Sequence, residues 1–306
     1  MCYSAQVVDA WQVFLRKTGA TLSLREFAAL YGFRLQDKSV RIPKAVDAAF
    51  AQPASDEERA IHSDIAAFER LQASAWEQDL FKQRKRLADA QRSLQTRATK
   101  AAAESSRIAA QKIDWLRAKL ADLRRSELLP EDARFFPGWY APVMVMEAGR
   151  KRVEPMRYQC RPAGMPALHD RKFPGTYNAR RDKLEGFWKG LFGRWHAVLP
   201  VSRFYENVQR DGANVVLEFR PADGQPMWVA CLWSRWTGPE GELLSFAAIT
   251  DEPPPEVAAA GHDRCIVPIK PENIDAWLNP DPDNLAASYA LLDDRQRPTY
   301  EHRLAA

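Results

Sequence analysis

From Ala54 to Leu129 the chain has neither proline nor glycine, although its 306 residues include 21 and 14 of them. The two strongest helix breakers are missing from a long internal stretch, which restricts that stretch to helix. Alanine, arginine, lysine, glutamine, glutamate and leucine dominate it, and these residues lose little side-chain freedom on a helix. Apolar residues recur at helical spacing, as Ile61, Ile65, Phe68, Trp76 and Leu80, and later Ile108, Ile113, Leu116, Leu120 and Leu123. One unbroken helix would exceed about 100 Å at roughly 1.5 Å per residue. An antiparallel hairpin turning within Thr96–Ser106, where apolar residues thin to alanine, lets the two stripes bury each other. The hairpin is the expected form.

Charge is uneven along this arm. Between Lys82 and Lys112 nine bases stand against Asp89 and Glu104, a local +7 in a chain whose net charge is only +4. Such a run is either a solvated helix surface or a basic tip that touches nucleic acid or a protein partner, and the sequence leaves both open. The chain as a whole is ordinary for a folded protein, at 46% hydrophobic and 27% charged residues, which excludes wholesale disorder. No apolar run approaches the roughly 20 residues of a membrane span. The start, Met1-Cys2-Tyr3-Ser4, has no basic segment followed by an apolar one, so no signal peptide is expected. Four scattered cysteines are too few for a disulfide framework, and free thiols in a cytoplasmic setting are expected.

Outside the arm the pattern is mixed. Gln6–Lys17 reads as an amphipathic helix with Val7, Val8, Trp11, Phe14 and Leu15 inward, and Ser23-Leu24-Arg25-Glu26 as a capping box opening a second helix. Strands are expected over Pro142–Glu147, Val215–Phe219, Trp228–Trp233, Leu243–Ile249 and Cys265–Ile269. Helices follow from Pro271 to Leu278 and from Asn284 to Leu292. The fold class is α+β, a strand-rich body interrupted by a helical arm.

Four clusters could carry chemistry. Loss of Met1 would expose on Cys2 an α-amine beside a β-thiol, with ordinary pKa values of roughly 8 and 8.5. Such a 1,2-aminothiol condenses with an aldehyde to an imine, and the thiolate then closes a thiazolidine. Gly175-Thr176-Tyr177-Asn178-Ala179-Arg180-Arg181-Asp182 is a turn with surface charges, or an amide aimed at a ligand oxygen beside guanidiniums suited to phosphate. Phe204-Tyr205-Glu206-Asn207 places a carboxylate behind two aromatics, where apolar surroundings can fit it for proton transfer. His262-Asp263-Arg264-Cys265 offers a histidine whose tautomer a neighbour can set. A metal held by His262 and Cys265 would need two further ligands, and none stands at suitable spacing. No metal and no cofactor is expected. Trp228, Trp233 and Trp236 around Arg235 read as core, or as an aromatic platform on which bases could stack.

The order of these clusters resembles the SRAP family, the SOS-response-associated peptidases or abasic-site processing proteins. Phe136-Pro137-Gly138, Ala141-Pro142-Val143, Pro155-Met156-Arg157, Val198-Leu199-Pro200, Cys231-Leu232-Trp233-Ser234-Arg235-Trp236-Thr237 and Asp275-Ala276-Trp277-Leu278 add to it. The resemblance implies one discontinuous domain over 1–53 and 130–306, with a mostly antiparallel, barrel-like core, interrupted by a hairpin insert over 54–129. It implies binding to single-stranded DNA and a covalent crosslink to abasic sites. Carried over, Cys2 supplies amine and thiol, Asn178 positions the sugar or the nucleophile, Glu206 is the general acid/base, and His262 assists opening of the sugar ring. Arg180, Arg157, Arg264 and Arg181 would bind phosphate.

The chain departs from the family in three places. Tyr3-Ser4 replaces a Gly-Arg pair, and Arg181-Asp182 replaces Ser-Glu. Arg157-Tyr158-Gln159 stands where relatives carry an Arg-Trp-Gly wedge that separates bases. The arm would contact duplex DNA or a replication or repair protein. Two other classes stay open on these residues: an N-terminal-cysteine hydrolase or peptidase acting on something other than DNA, and a non-catalytic DNA-binding scaffold led by the arm.

Overall fold

The computed structural model describes residues 4–7, 15, 18–210, 212–239 and 241–305. Its core is a ring of five strands: β4 (Tyr140–Glu147), β5 (Arg150–Tyr158), β7 (His196–Arg210), β9 (Met227–Gly238) and β10 (Gly241–Asp251). The hydrogen-bonded order β9-β10-β5-β4-β7 closes because β7 also pairs with β9. Every pairing in the ring is antiparallel except β5 with β10. Strand alternation explains why these segments form such a sheet. Along β9, Val229, Cys231 and Trp233 enter one core cluster, while Trp228, Ala230 and Leu232 enter another. Along β10, Leu244, Phe246 and Ala248 alternate in the same way with Ala247 and Ile249. Both faces of the sheet are therefore covered.

Shorter strands extend the sheet. β1 (Ser4–Val7) and β8 (Ala213–Pro221) pair with the second half of β7, and β3 (Arg134–Phe135) pairs with β1. β2 (Thr21–Leu22) joins β5, and β6 (Asn178–Arg180) runs parallel to β10. β11 (Cys265–Ile266), β12 (Pro268–Ile269) and β13 (Tyr300–Leu304) lie against β10, β9 and β8.

Two local expectations are corrected. Gln6 and Val7 belong to a strand rather than to a helix, because Ala5 and Gln6 find partners in Phe204 and Arg203 of β7. Of the rest of Gln6–Lys17, only Leu15 lies among the described residues. Helix α1 (Leu24–Gln36) does start after Ser23, but the Ser23 hydroxyl makes no cap hydrogen bond and accepts from Arg152 Nη2 at 3.1 Å. β5 and β7 have no continuous strand signal in the sequence. Arg150, Lys151, Arg152 and Pro155 mask the first, and Pro200 interrupts the second.

The arm is a hairpin of α3 (Asp56–Thr96) and α4 (Lys100–Arg124), turning at Arg97–Thr99. Ser55 caps the first helix by accepting from Glu58 N at 3.1 Å, and Thr99 caps the second by accepting from Ala102 N at 3.2 Å. Gln83 and Ala90 are buried on α3, and Ala109, Ile113, Leu116 and Leu120 on α4. The root is tied to the body. Ile61 and Ile65 share a cluster with Phe27, Tyr31 and Phe50, and the Arg34 guanidinium lies 4.0 Å from the Phe68 ring centre. Arg34 is itself held by Asp47 of α2 (Lys44–Ala48) at 3.0 Å.

Candidate active site

β7 does two jobs. Its first half closes the ring against β9, and its second half, from Arg203 onward, leaves the ring to pair with β1 and β8. Glu206 lies in that second half, opposite Leu217, and period two aligns it with Phe204 and Val208, which enter the core. Its side chain is wholly buried. The facing group comes from a distant strap: helix Pro255–Ala259, a turn through Gly261 at φ +97°, then His262, with Cys265–Ile266 pinned to the end of β10. Proline at the helix start and glycine in the left-handed region suit this sharp reversal.

His262 Nε2 lies 3.2 Å from Glu206 Oε2. His262 Nδ1 sits 2.9 Å from the Arg264 carbonyl oxygen and 3.4 Å from the Arg264 amide nitrogen. The shorter contact favours a proton on Nδ1 donated to the carbonyl, which leaves Nε2 as the ring's acceptor. Burial lowers the His262 pKa from the ordinary histidine value. At 3.2 Å the imidazole nitrogen and the buried carboxyl are close enough to pass a proton between them.

Asn178 is delivered by β6, opposite Ala248 of β10. Its side-chain amide is buried, and neither its oxygen nor its nitrogen is hydrogen-bonded among the described residues. A buried amide without partners costs roughly 1–3 kcal/mol, a cost that a bound ligand can offset.

The four arginines are placed unequally. Arg180 is exposed and pairs with Asp182, two residues on and also exposed, at 2.9 Å. Arg264 pairs with Asp263 at 3.2 Å. Arg181 is clamped between Asp251 at 3.1 Å and Asp293 at 2.6 Å, and Arg157 pairs with Asp170 at 2.8 Å, a carboxylate it shares with Arg161. The last two serve the fold in this structure. A cleft of about 740 Å³ is lined by Arg157 but by none of Glu206, His262 and Asn178.

Cys2 lies outside the described residues. The three described cysteines are all buried. Burial pushes the thiols of Cys160 and Cys265 up to about 12 and raises that of Cys231 further, which makes them inert as nucleophiles. His196, which has no polar company in the sequence, is a structural histidine: it stacks on Trp277 and accepts from Gly193 N at 2.9 Å. Burial takes it down to about 3. Trp228, Trp233 and Trp236 are core. Tyr158, at the position of the family's wedge, is 1% exposed and stacked on Phe246, so it offers no ring to a base.

Sequence reasoning missed Arg134. It donates to Ser4 Oγ at 3.0 Å and lies 3.6 Å from the Tyr205 ring centre. Tyr205 in turn donates to Gln6 Oε1 at 3.1 Å and to Glu218 Oε2 at 3.3 Å. No short-range signal marks these residues, because the partners are 130 and 199 positions apart.

The SOS response associated peptidase (SRAP) family pattern matches residues 71–303, most of the chain. The chain belongs to the SRAP family. Among its relatives, the abasic site processing protein YoqW of Bacillus subtilis (strain 168) is 29% identical over 131 residues, covering 40% of this chain and 58% of that protein. The abasic site processing protein YobE of the same organism is 30% identical over 131 residues, covering 40% and 59%. The chain thus matches less than two thirds of the length of these relatives. A crystal structure of a protein from Bacteroides thetaiotaomicron shares the SRAP member's fold, with a TM-score of 0.50 and 15% identity over 58% of this chain and 80% of the other. A Bordetella bronchiseptica protein aligns at a TM-score of 0.48 and 19% identity, over 60% and 90%.

Proposed function

We propose that this SRAP protein processes abasic sites in single-stranded DNA by capturing the ring-opened sugar on Cys2. The observation that carries the reading is the buried Glu206–His262 pair, 3.2 Å apart, one residue along β7 from Tyr205, the register partner of Ser4. Cys2 is two residue steps from Ser4, a span of at most about 7 Å. In this reading a Cys2 amine freed of Met1 works with that acid/base pair.

The chemistry balances without a co-reactant. His262 Nε2 relays a proton from the Glu206 carboxyl it faces to the sugar ring oxygen, and the Glu206 carboxylate takes the proton of the anomeric hydroxyl, which opens the ring and exposes the C1′ aldehyde. The Cys2 amine adds to that carbon, and Glu206 supplies the proton with which the carbinolamine hydroxyl leaves as water. The resulting iminium acidifies the C2′ proton and invites β-elimination, which would cut the strand. Attack of the Cys2 thiolate on C1′ instead closes a five-membered thiazolidine and removes the iminium. The unpartnered amide of Asn178 holds a sugar oxygen, while Arg180 and Arg264 take adjacent phosphates.

The test uses untagged protein with a free Cys2 amine and an oligonucleotide bearing one abasic site, run on a denaturing gel. A heat-stable shifted band is expected, absent in Cys2→Ser and formed about a hundredfold more slowly in Glu206→Gln. Wild-type protein lacking Met1 that forms no such band would overturn the reading. A retained N-terminal tag is expected to abolish the band.

A further inference from the structure

We infer that the distal half of the helical hairpin docks on the sugar-phosphate backbone of a nucleic-acid duplex. Charge is segregated along the arm. Asp56–Phe81 carries seven acids and two bases, whereas Lys82–Lys112 carries nine bases and two acids. A hairpin that needed charge only for solubility would intersperse the signs, since pairs three or four residues apart stabilise a helix.

Both distal acids are already engaged by local partners, Asp89 by Arg92 and Glu104 by Arg107. The remaining seven cations are exposed and have no carboxylate partner among the described residues. α4 also begins at this end, with Lys100 and no acid in its first turn, although a helix start favours negative charge. The distal half thus presents an excess of exposed positive charge that an anionic partner would neutralise.

The shape selects the anion. Lys82, Lys85 and Arg86 of α3 face Ala102 and Ser105 of α4 across a shallow groove of about 570 Å³, whose single acid is the paired Asp89. The small residues leave the cationic groups standing above the surface. Lys82–Thr96 extends about 20 Å, long enough to follow several phosphates. From Lys82 to Lys112 there is no aromatic residue, whereas single strands are gripped by stacking bases on aromatic side chains. Apart from the exposed Phe81 at its proximal edge, this rod of cations offers no aromatic surface, which suits a duplex, whose bases are already stacked and whose phosphates are presented outward.

The experiment is fluorescence anisotropy of the full chain with a labelled, lesion-free 20-base-pair duplex between about 50 and 200 mM salt. The comparison is with the fourfold variant Lys82→Gln, Lys85→Gln, Arg97→Gln and Lys100→Gln. All four sites are exposed and glutamine is a good helix former, so circular dichroism is expected to match wild type. The variant is expected to bind at least tenfold more weakly, with a salt slope shallower by about 0.9 for each phosphate it no longer neutralises. Equal affinity and slope in the two proteins would overturn the inference. So would tighter wild-type binding to the single strand of the same sequence, weakened equally in the variant. Binding of an acidic protein partner but not of duplex would overturn it as well. None of these readouts depends on Cys2, so they stand or fall separately from lesion capture.

Discussion

Glu206 and Glu154 are both buried carboxylates of one sheet, and their neighbours give them opposite meanings. Glu206 faces an imidazole at 3.2 Å. Glu154 has one oxygen 3.9 Å from Arg152 Nε and the other without a hydrogen bond. Burial pushes the Glu154 carboxyl up to about 7. Above pH 7 it is ionised both folded and unfolded, and the burial of its charge then costs on the order of 3 kcal/mol. As pH falls from 7 to about 4.5 the folded protein regains the proton first, and the cost disappears. Glu154→Gln is therefore expected to stabilise the protein by roughly 2–3 kcal/mol at pH 8 and hardly at all at pH 4.5, read from urea midpoints. An equal effect at both pH values would refute the assignment. Asn178, Glu206 and His262 were legible as candidates because their residue types stand in recognisable clusters. The Glu206–His262 contact was not, since it joins positions 56 apart through a turn at Gly261.

Among the elements, β7 depends on a strand that no local pattern announced. β13 covers β8, and its Tyr300 sets its ring edge-on to Phe204 at 5.3 Å, two residues from Glu206. Its hydroxyl also lies 3.5 Å from Met227 Sδ. Removing that ring opens a cavity beneath the strand that carries the acid/base pair. Tyr300→Ala is expected to cost about 3–5 kcal/mol, and Tyr300→Phe less than about 1, in denaturant unfolding. The helical arm was legible from composition alone, because helix formation there is a local matter of propensity and periodicity. β1 was not. Ser4–Val7 has no strand signal of its own, and its backbone is satisfied only by β7 and β3.

Across the whole molecule, the arm divides into a root that belongs to the body and a distal half that does not. Ile61 and Ile65 lie in the cluster of Phe27 and Phe50, and Lys44 Nζ reaches the carbonyls of Asp122 and Arg125 at 2.7 and 2.6 Å. Deleting the entire hairpin would strip a face of the core. Shortening it should not. Arg86 donates to Ser105 across the hairpin, so residues 84–107 can be replaced by a short Gly-Ser turn at a level where the helices already face each other. That variant is expected to unfold at a denaturant midpoint close to wild type and to lose duplex binding. A collapse in stability would show that the distal half supports the fold.

The sequence by itself determined the helical arm and its polarity of charge, the α+β class, and the residue types able to do chemistry. Each of these is a property of neighbours along the chain: helix propensity, hydrophobic period, and the functional groups themselves. Only the tertiary structure decided that β7 leaves the ring to pair with β1. It also decided that His262 meets Glu206, that Arg181 and Arg157 are absorbed by carboxylates, and that the root of the arm is core. Those outcomes rest on pairings between residues far apart in the chain, whose free energy appears only once the sheet has brought them together.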